Sequence, residues 1–454
     1  MNKQDKGKPV SQKIEFAGIE FRSPIGVTAM GMPWGGEITP EMHAEVILKH
    51  AEAGAGFIST PGQMFSTEET IAKLREKAAP EEYPPYERGG TRFLKAETAE
   101  PPFVAEGAYT LYTPFMLTHE HIKMGYAYST KLISLLAEKK PKDVRLIGNV
   151  GGLGDFPESY VDGAKTLEQL GVDLIELNCS CPLPLSTSHT VDYFSSRKYP
   201  LRMVGVAVGE HPDLVANITR EVVKAVNIPV GWKLAPETGF PRIVEMVKGI
   251  KDAGGTWVST LNGALGIAPP DIYNHGKPLW AFCDGNPFVM ISGPWLRRDC
   301  YKYVAGITKY VPGIDIIATG GISSPKHCIE AMMLGAKLVG TLTGVIYRGR
   351  NLIRRTNVFI NSFMQEQGYE RIEDFVGLGQ KYIKPLEEID LMVGKVTAQL
   401  DSTKCTGCGI CLDDLCVAFY SEDGFVKIKE EDCSGCGGCV LGCPVNAIKL
   451  VRKE

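Results

Sequence analysis

Short apolar runs bounded by Gly and Pro alternate along this chain with stretches whose apolar residues recur three and four apart. The first kind reads as buried strand and the second as amphipathic helix. Residues 13–24 alternate with period two and predict a short hairpin. Pro24–Ala29 and Gly56–Ser59 predict two buried strands, with a helix over Glu41–Glu52 between them. An irregular stretch from Thr60 to Thr118, rich in Pro, Gly, Tyr and Glu, is either a functional loop or a peripheral hairpin covering whatever lies beneath it.

From His119 the rhythm becomes regular. Helices are predicted over His119–Glu138, Glu158–Leu170, Pro212–Val226, Pro241–Ala253, Leu296–Tyr310 and Pro325–Leu334, with a last one ending at Gln367. Strands are predicted over Arg145–Val150, Val172–Asn178, Val230–Leu234, Thr256–Leu261, Asp315–Ala318 and Leu338–Thr341. Strands that alternate with helices imply an α/β fold with a parallel sheet. Eight units favour closure into a (β/α)8 TIM barrel over a doubly wound sheet, and such barrels build their sites at the C-terminal ends of the strands. The barrel is expected over residues 13–370, followed by a polar helical connector over 371–400.

Composition narrows the classes. Hydrophobic content of 44% and charged content of 22% are those of an ordinary globular protein. A net charge of −4 gives no general attraction to nucleic acid or anionic membrane. The Lys-rich start, Met1–Gln12, has no apolar core of a signal peptide, and no run approaches the ~18–20 apolar residues of a spanning helix. A cytoplasmic protein is expected, with neither nucleic acid nor membrane as partner.

The cysteines change the picture. Thirteen are present, and eight of them fall between Cys405 and Cys443. They form two runs: Cys405, Cys408, Cys411, Cys416 and Cys433, Cys436, Cys439, Cys443, the last followed by Pro444. This is the double run of bacterial ferredoxins, in which the fourth Cys of each run serves the other cluster. Residues 401–454 are therefore expected to be a ferredoxin-like α+β domain with two 4Fe–4S clusters, one on Cys405, Cys408, Cys411 and Cys443, the other on Cys433, Cys436, Cys439 and Cys416. A pair of zinc sites is the rival, but zinc knuckles seldom carry such triple runs.

Candidate chemistry in the barrel starts at Glu176-Leu177-Asn178-Cys179-Ser180-Cys181-Pro182, where an amide, a hydroxyl and two thiols stand at the end of the fourth strand. A thiol there is a candidate proton donor; small buried apolar residues are the alternative reading of both cysteines. Lys233 lies inside the apolar fifth strand, where a lysine is costly unless paired, so a cofactor contact is expected. Gly320-Gly321 after the seventh strand, with Thr341 and Thr343 after the eighth, suits a phosphate. Iron–sulfur clusters move single electrons and barrel chemistry on carbon moves pairs; a flavin mononucleotide joins the two. No Gly-x-Gly-x-x-Gly follows a strand, so nothing signals a dinucleotide site.

The order Pro24–Ala29, Glu176–Pro182, Lys233-Leu234-x-Pro236, Asn262, Ser292-Gly293, Ala318–Ile322 and then the double cysteine run resembles the flavin half of the dihydropyrimidine dehydrogenases and the dihydroorotate dehydrogenase superfamily. The resemblance covers nearly the whole chain. It implies an FMN barrel with Thr28 and Ala29 at the flavin ring, Lys233 near its N1 side, and Gly293, Gly320, Gly321, Thr343 and Gly344 at the phosphate. Asn178 and Thr260 join the cofactor contacts. It makes Cys181 the proton donor, assisted by Asn178 and Lys233, and puts Asn178, Asn262, Ser180 and His189 at the substrate. His189 or His119 is the reserve acid. It further implies a homodimer that exchanges electrons with a ferredoxin or a flavoprotein subunit, and a small cyclic substrate whose activated C=C bond is reduced or formed.

Departures from the family pattern leave the substrate open. Thr60-Pro61 stands where the family has a flavin-contacting lysine, Thr118-His119 near a substrate asparagine, and Gly263 in place of a threonine. His189, Asp192, Tyr193 and Phe194 replace a Gly-rich motif after Pro182, and Cys179 replaces an apolar residue. An electron-transfer or redox-sensing subunit without substrate chemistry is the alternative.

Overall fold

A computed structural model describes residues 10–29, 38–62, 93–95, 108–110, 119–152, 156–180, 206–267, 270–277, 288–384, 386–389, 395–412 and 416–453. The chain divides into two compact units, and the division falls between Lys381 and Tyr382.

Eight parallel strands close the larger unit into a barrel: β1 (Ile25–Val27), β2 (Phe57–Ser59), β3 (Arg145–Val150), β4 (Leu174–Asn178), β5 (Val230–Lys233), β6 (Trp257–Ser259), β7 (Asp315–Ala318) and β8 (Leu338–Thr341). They follow one another around the barrel in chain order, and β8 pairs back onto β1. The helices outside are α1 (Pro40–Glu52), α2 (His119–Lys139), α3 (Glu158–Gln169), α4 (Pro212–Ala225), α5 (Arg242–Asp252), α6 (Arg297–Tyr310), α7 (Pro325–Met333) and α8 (Asn351–Gln367). Helix starts follow local chemistry. Thr39 and Ser324 cap α1 and α7 through their hydroxyls, each followed by a proline at the first helical position.

One end of the barrel is plugged. The hairpin Ile14–Phe16/Ile19–Phe21 sends Phe16 against Trp257, with ring centroids 5.6 Å apart, and Phe21 against Phe57 at 6.1 Å. Both partners lie at the N-terminal ends of their strands, and the Ala17 amide donates to Asp315 at the start of β7, at 2.7 Å. Gly231 and Gly26 leave room for these rings: a Cβ at either would stand 2.2–2.5 Å from the Trp257 or Phe57 ring. With that end filled by aromatics, the C-terminal ends of the strands are left for chemistry.

Two outcomes concern the expected elements. The stretch from Thr60 to Thr118 contributes strands Phe93–Lys95 and Ala108–Thr110 to a four-stranded antiparallel sheet with Ala264–Ile267 and Phe288–Ser292. The expected last helix is split at Gly349 (φ +68°) into Thr343–Arg348 and α8.

The smaller unit holds β9 (Val396–Leu400), β10 (Phe419–Glu422), β11 (Phe425–Ile428) and β12 (Ile448–Arg452), paired antiparallel as β9–β12 and β10–β11. The segment read as a helical connector over 371–400 thus ends in a strand, β9, that pairs with β12. Among the described residues its helical part consists of the short turns Ile372–Asp374, Leu378–Tyr382 and Leu386–Glu388.

Candidate active site

Registers within the barrel set the site. Asn149 on β3 stands opposite Glu176 on β4, Asn178 opposite Lys233 on β5, and Lys233 opposite Ser259 on β6. Side chains two apart share a face of a strand, so β3 to β6 bring one carboxylate, two amides, a lysine and a hydroxyl into one patch.

Hydrogen bonds order that patch. Glu176, 2% exposed, accepts from Ser259 Oγ at 2.5 Å and from Asn149 Nδ2. Asn149 Oδ1 accepts from Asn178 Nδ2 at 3.1 Å. Asn178 Oδ1 accepts from both the amide and the hydroxyl of Ser180, each at 2.9 Å. Asn262 Nδ2 donates to the Ser180 carbonyl at 3.0 Å. A carboxylate only accepts, so Glu176 fixes which way each amide in the chain points. Among the described residues the second N–H of Asn178 has no acceptor, which suits a ligand. Asn149 was not singled out from sequence, and Glu176 was quoted there only as the start of the strand-end motif, although an asparagine and a glutamate inside apolar strand runs were the available signal.

Lys233 is 6% exposed, and among the described residues its Nζ has no hydrogen-bond or ion-pair partner. A buried ammonium without a partner suits an electron-rich group seated at the strand ends. Gly62, just beyond β2, comes close over the two amides: a Cβ there would stand 2.9 Å from Asn149 Oδ1 and 3.6 Å from Asn178 Nδ2. Thr28, 7% exposed, packs on Gly340, and Ala29 follows it at the end of β1. Thr60 is fully buried; its hydroxyl accepts from the Asn149 amide at 2.8 Å and donates to the Pro61 carbonyl at 3.1 Å, tying β2 to β3. Thr260 is likewise consumed: its hydroxyl donates to the Thr319 carbonyl at 2.8 Å and lies 3.4 Å from Cys300 Sγ.

Three loops converge after β6, β7 and β8. Ser292 Oγ lies 3.2 Å from Thr343 Oγ1, and Thr341 Oγ1 donates to the Ile322 carbonyl at 2.7 Å. Gly320 and Gly321 have φ of +102° and +77°, which favour glycine, and a Cβ on Gly321 would stand 2.4 Å from the Arg297 amide nitrogen. Gly293, at φ +121°, precedes the turn Pro294–Leu296 that leads into α6, and a Cβ on Gly344 would strike Thr341 and Ile322. The cradle of backbone and hydroxyl groups fits a phosphate, and with Lys233 and Asn178 the residues present fit FMN.

Cys179 is fully buried in the core; its thiol donates to the Lys233 carbonyl at 3.3 Å, and burial pushes its pKa far up. It behaves as a small apolar residue that holds β4 to β5. Cys181, His189, Asp192, Tyr193, Phe194 and Thr118 lie outside the described residues, as do the side-chain surroundings of His119.

In the smaller unit the eight cysteines fall into two neighbourhoods. Burial pushes the Cys411 thiol up, with Cys405, Cys408 and Cys443 as further like-charged neighbours. Burial pushes Cys439 up, with Cys416, Cys433 and Cys436 beside it. A cavity is lined by Cys405, Cys408, Cys411 and Cys443 together with Ile410 and Ile448. Among the described residues no three His, Cys, Asp or Glu side chains close on one ion. Four thiols spaced around a cavity suit a cube with four irons better than a single zinc. Backbone amides already point at sulfur: Ala447 N to Cys443 Sγ at 3.2 Å, and Ala398 N to Cys433 Sγ at 3.3 Å. Burial would raise the Cys433 pKa, but the Ala398 and Gly435 amides, the Thr397 hydroxyl and Lys453 outweigh it and hold the thiol below its usual value.

Comparison with known proteins gives three family matches. The dihydroorotate dehydrogenase model matches residues 199–364, a dihydrouridine synthase model residues 103–260, and a 4Fe–4S binding domain residues 426–449. The chain is 32% identical over 254 residues to the catalytic subunit of dihydroorotate dehydrogenase B (NAD(+)) of Methanocaldococcus jannaschii, covering 56% of this chain and 73% of that protein. It is 32% identical over 224 residues to the corresponding subunit of Thermoplasma volcanium, covering 49% and 65%. It is 25% identical over 280 residues to the NAD-dependent dihydropyrimidine dehydrogenase subunit PreA of Escherichia coli, covering 61% and 62%. The chain thus spans about two thirds of the length of these relatives. Among the described residues no helix is long and apolar enough to cross a membrane.

Proposed function

Because the chain belongs to the dihydroorotate dehydrogenase family, we propose that it is an FMN- and iron–sulfur-dependent oxidoreductase that reduces or forms an activated C=C bond in a small pyrimidine-like ring. The observation that carries this is the meeting of Asn178, Lys233 and Asn262 at the ends of β4 to β6 in a chain that also groups eight cysteines into two quartets. When bound, FMN supplies the exchange between two-electron chemistry at carbon and one-electron transfer through the clusters.

The chain's own residues do the rest. Lys233 offers a desolvated positive charge where negative charge gathers on the cofactor or on an enolate-like substrate. Asn178 and Asn262, held in one orientation by Glu176 and Ser180, donate to the carbonyl groups of the ring. Cys181, three residues past the end of β4, gives or takes the proton at the carbon next to the carbonyl. Gly293, Gly320, Gly321, Thr343 and Gly344 hold the phosphate, with Thr28 and Ala29 beside the ring. Thr260 acts through strand-end packing. Two 4Fe–4S clusters carry electrons to or from a ferredoxin or flavoprotein subunit, and the chain works as a homodimer.

Cys181→Ala in the holoprotein tests the assignment. It should keep full flavin and iron content while turnover falls by about 10²–10⁴, the contribution of a positioned acid. Undiminished turnover removes Cys181 from the chemistry and leaves His189 or His119 as the acid.

A further inference from the structure

Arg297 opens α6 directly behind the glycine pair of the phosphate cradle, with its amide nitrogen against Gly321. Its guanidinium reaches across to α7. Nη1 lies 2.6 Å from Nε2 of His327, and Nε is buried with no acceptor among the described residues. A guanidinium only donates, so His327 accepts from it, and with donors facing both ring nitrogens the doubly protonated ring is disfavoured. On its other side the Ser323 backbone amide donates to Nδ1 at 3.3 Å, and the Ser323 hydroxyl lies 3.5 Å away. Burial, followed by the charge of Arg297 and the more distant Arg348 and Lys326, lowers the His327 pKa to about 4 against the opposing pull of Glu330. The ring therefore stays neutral in ordinary conditions. Glu330, the nearby acid, is engaged by Tyr301 at 2.5 Å and by Lys326 at 3.8 Å, and among the described residues no carboxylate pairs with Arg297.

A positive charge with no carboxylate partner and an N–H with no acceptor among the described residues, fixed behind a loop built for an anion, has an evident counterpart. We propose that Arg297 is a binding residue for the phosphate of FMN, and that neutral His327 positions it by accepting from its guanidinium. This rests on the reading of Gly293, Gly320, Gly321 and Thr343 as the phosphate site. Neither residue was marked in the sequence, because each makes sense only through the contact between α6 and α7.

The full chain, with its clusters intact and flavin removed, is titrated with FMN and with riboflavin, which lacks the phosphate, following flavin fluorescence. Arg297→Gln should weaken FMN about tenfold or more, as loss of a charge-assisted contact does, and leave riboflavin within about twofold. Arg297→Lys should recover part of the loss, and His327→Leu should weaken FMN selectively, by less than Arg297→Gln. Equal weakening of FMN and riboflavin makes Arg297 a structural residue of the loop and overturns the proposal, as does no change in either. Wild-type chain that binds neither flavin overturns the FMN reading itself and the proposal with it; only that arm does so.

Discussion

The side-chain amide of Asn178 donates to that of Asn149 at 3.1 Å, and Asn149 in turn donates to the buried carboxylate of Glu176. The orientation of an active-site amide is thereby set from inside the barrel, through Asn149 on the adjacent strand β3 and a carboxylate two residues back on β4. Replacing Glu176 tests this. In Glu176→Gln the new amide can donate to Ser259, whose hydroxyl is free to turn and accept, and still accept from Asn149. Stability and turnover should stay near wild type. Glu176→Leu strands the polar groups of Ser259 and Asn149, at about 1–3 kcal/mol for each. Chemical denaturation and turnover should both show a clear loss for Leu and little for Gln.

Lys233→Met removes the cation that β5 places among the strand-end amides. A charge next to the flavin tunes its electronics, and a lost cation disfavours the more electron-rich reduced form. The midpoint potential should fall, by about 30 mV for each tenfold change in preference. A spectroelectrochemical titration reads it directly; an unchanged potential would place Lys233 away from the flavin.

Gly321→Ala combines a positive φ with a Cβ 2.4 Å from the Arg297 amide nitrogen. The backbone strain alone is about 1–2 kcal/mol, and the loop must also shift. FMN affinity should drop together with the melting temperature. Gly349→Ala, at φ +68° but with open space around it, should lower stability without affecting FMN.

The cysteine quartets predict which substitutions share a phenotype. Cys405→Ser and Cys443→Ser, far apart in sequence, should perturb one and the same cluster signal, and Cys416→Ser and Cys436→Ser the other. Iron analysis and electron paramagnetic resonance of the reduced protein distinguish this pairing from one in which each run holds its own cluster.

His327 makes stability depend on pH. Its folded pKa, about 4, lies below the ordinary histidine value of 6.5. The unfolded chain takes up the proton first as pH falls, so stability is lost between about 6.5 and 4 and levels off below. In His327→Gln the slope of unfolding midpoint against pH over this window should be shallower.

Much of this was legible in the sequence because it is local. Eight apolar runs alternating with helical periods specify the barrel, and the cysteine spacing specifies the ferredoxin pattern. Lys233 announced itself as a charge inside an apolar strand. What escaped was non-local. Phe93–Lys95 pairs with nearby Ala108–Thr110, but the pairing of Ala108–Thr110 with residues some 180 positions later leaves no mark in either segment. The assignment of 396–400 to a connector failed to see β12, which completes that strand. Thr260, at a strand end facing the mouth by position, has its hydroxyl taken by Thr319. Asn149 and Glu176 look like isolated polar residues until the barrel closes and lays β3 beside β4.

The most direct measurement is anaerobic. The purified holoprotein is reduced chemically, mixed with uracil, thymine, orotate and a panel of cyclic enones, and flavin reoxidation is followed by absorbance. Rapid reoxidation by at least one unsaturated ring, abolished or strongly slowed in Cys181→Ala, is the expected result. A reduced flavin that none of these rings reoxidises, while an artificial one-electron acceptor drains it through the clusters, would contradict substrate chemistry in this barrel and leave electron transfer as its role.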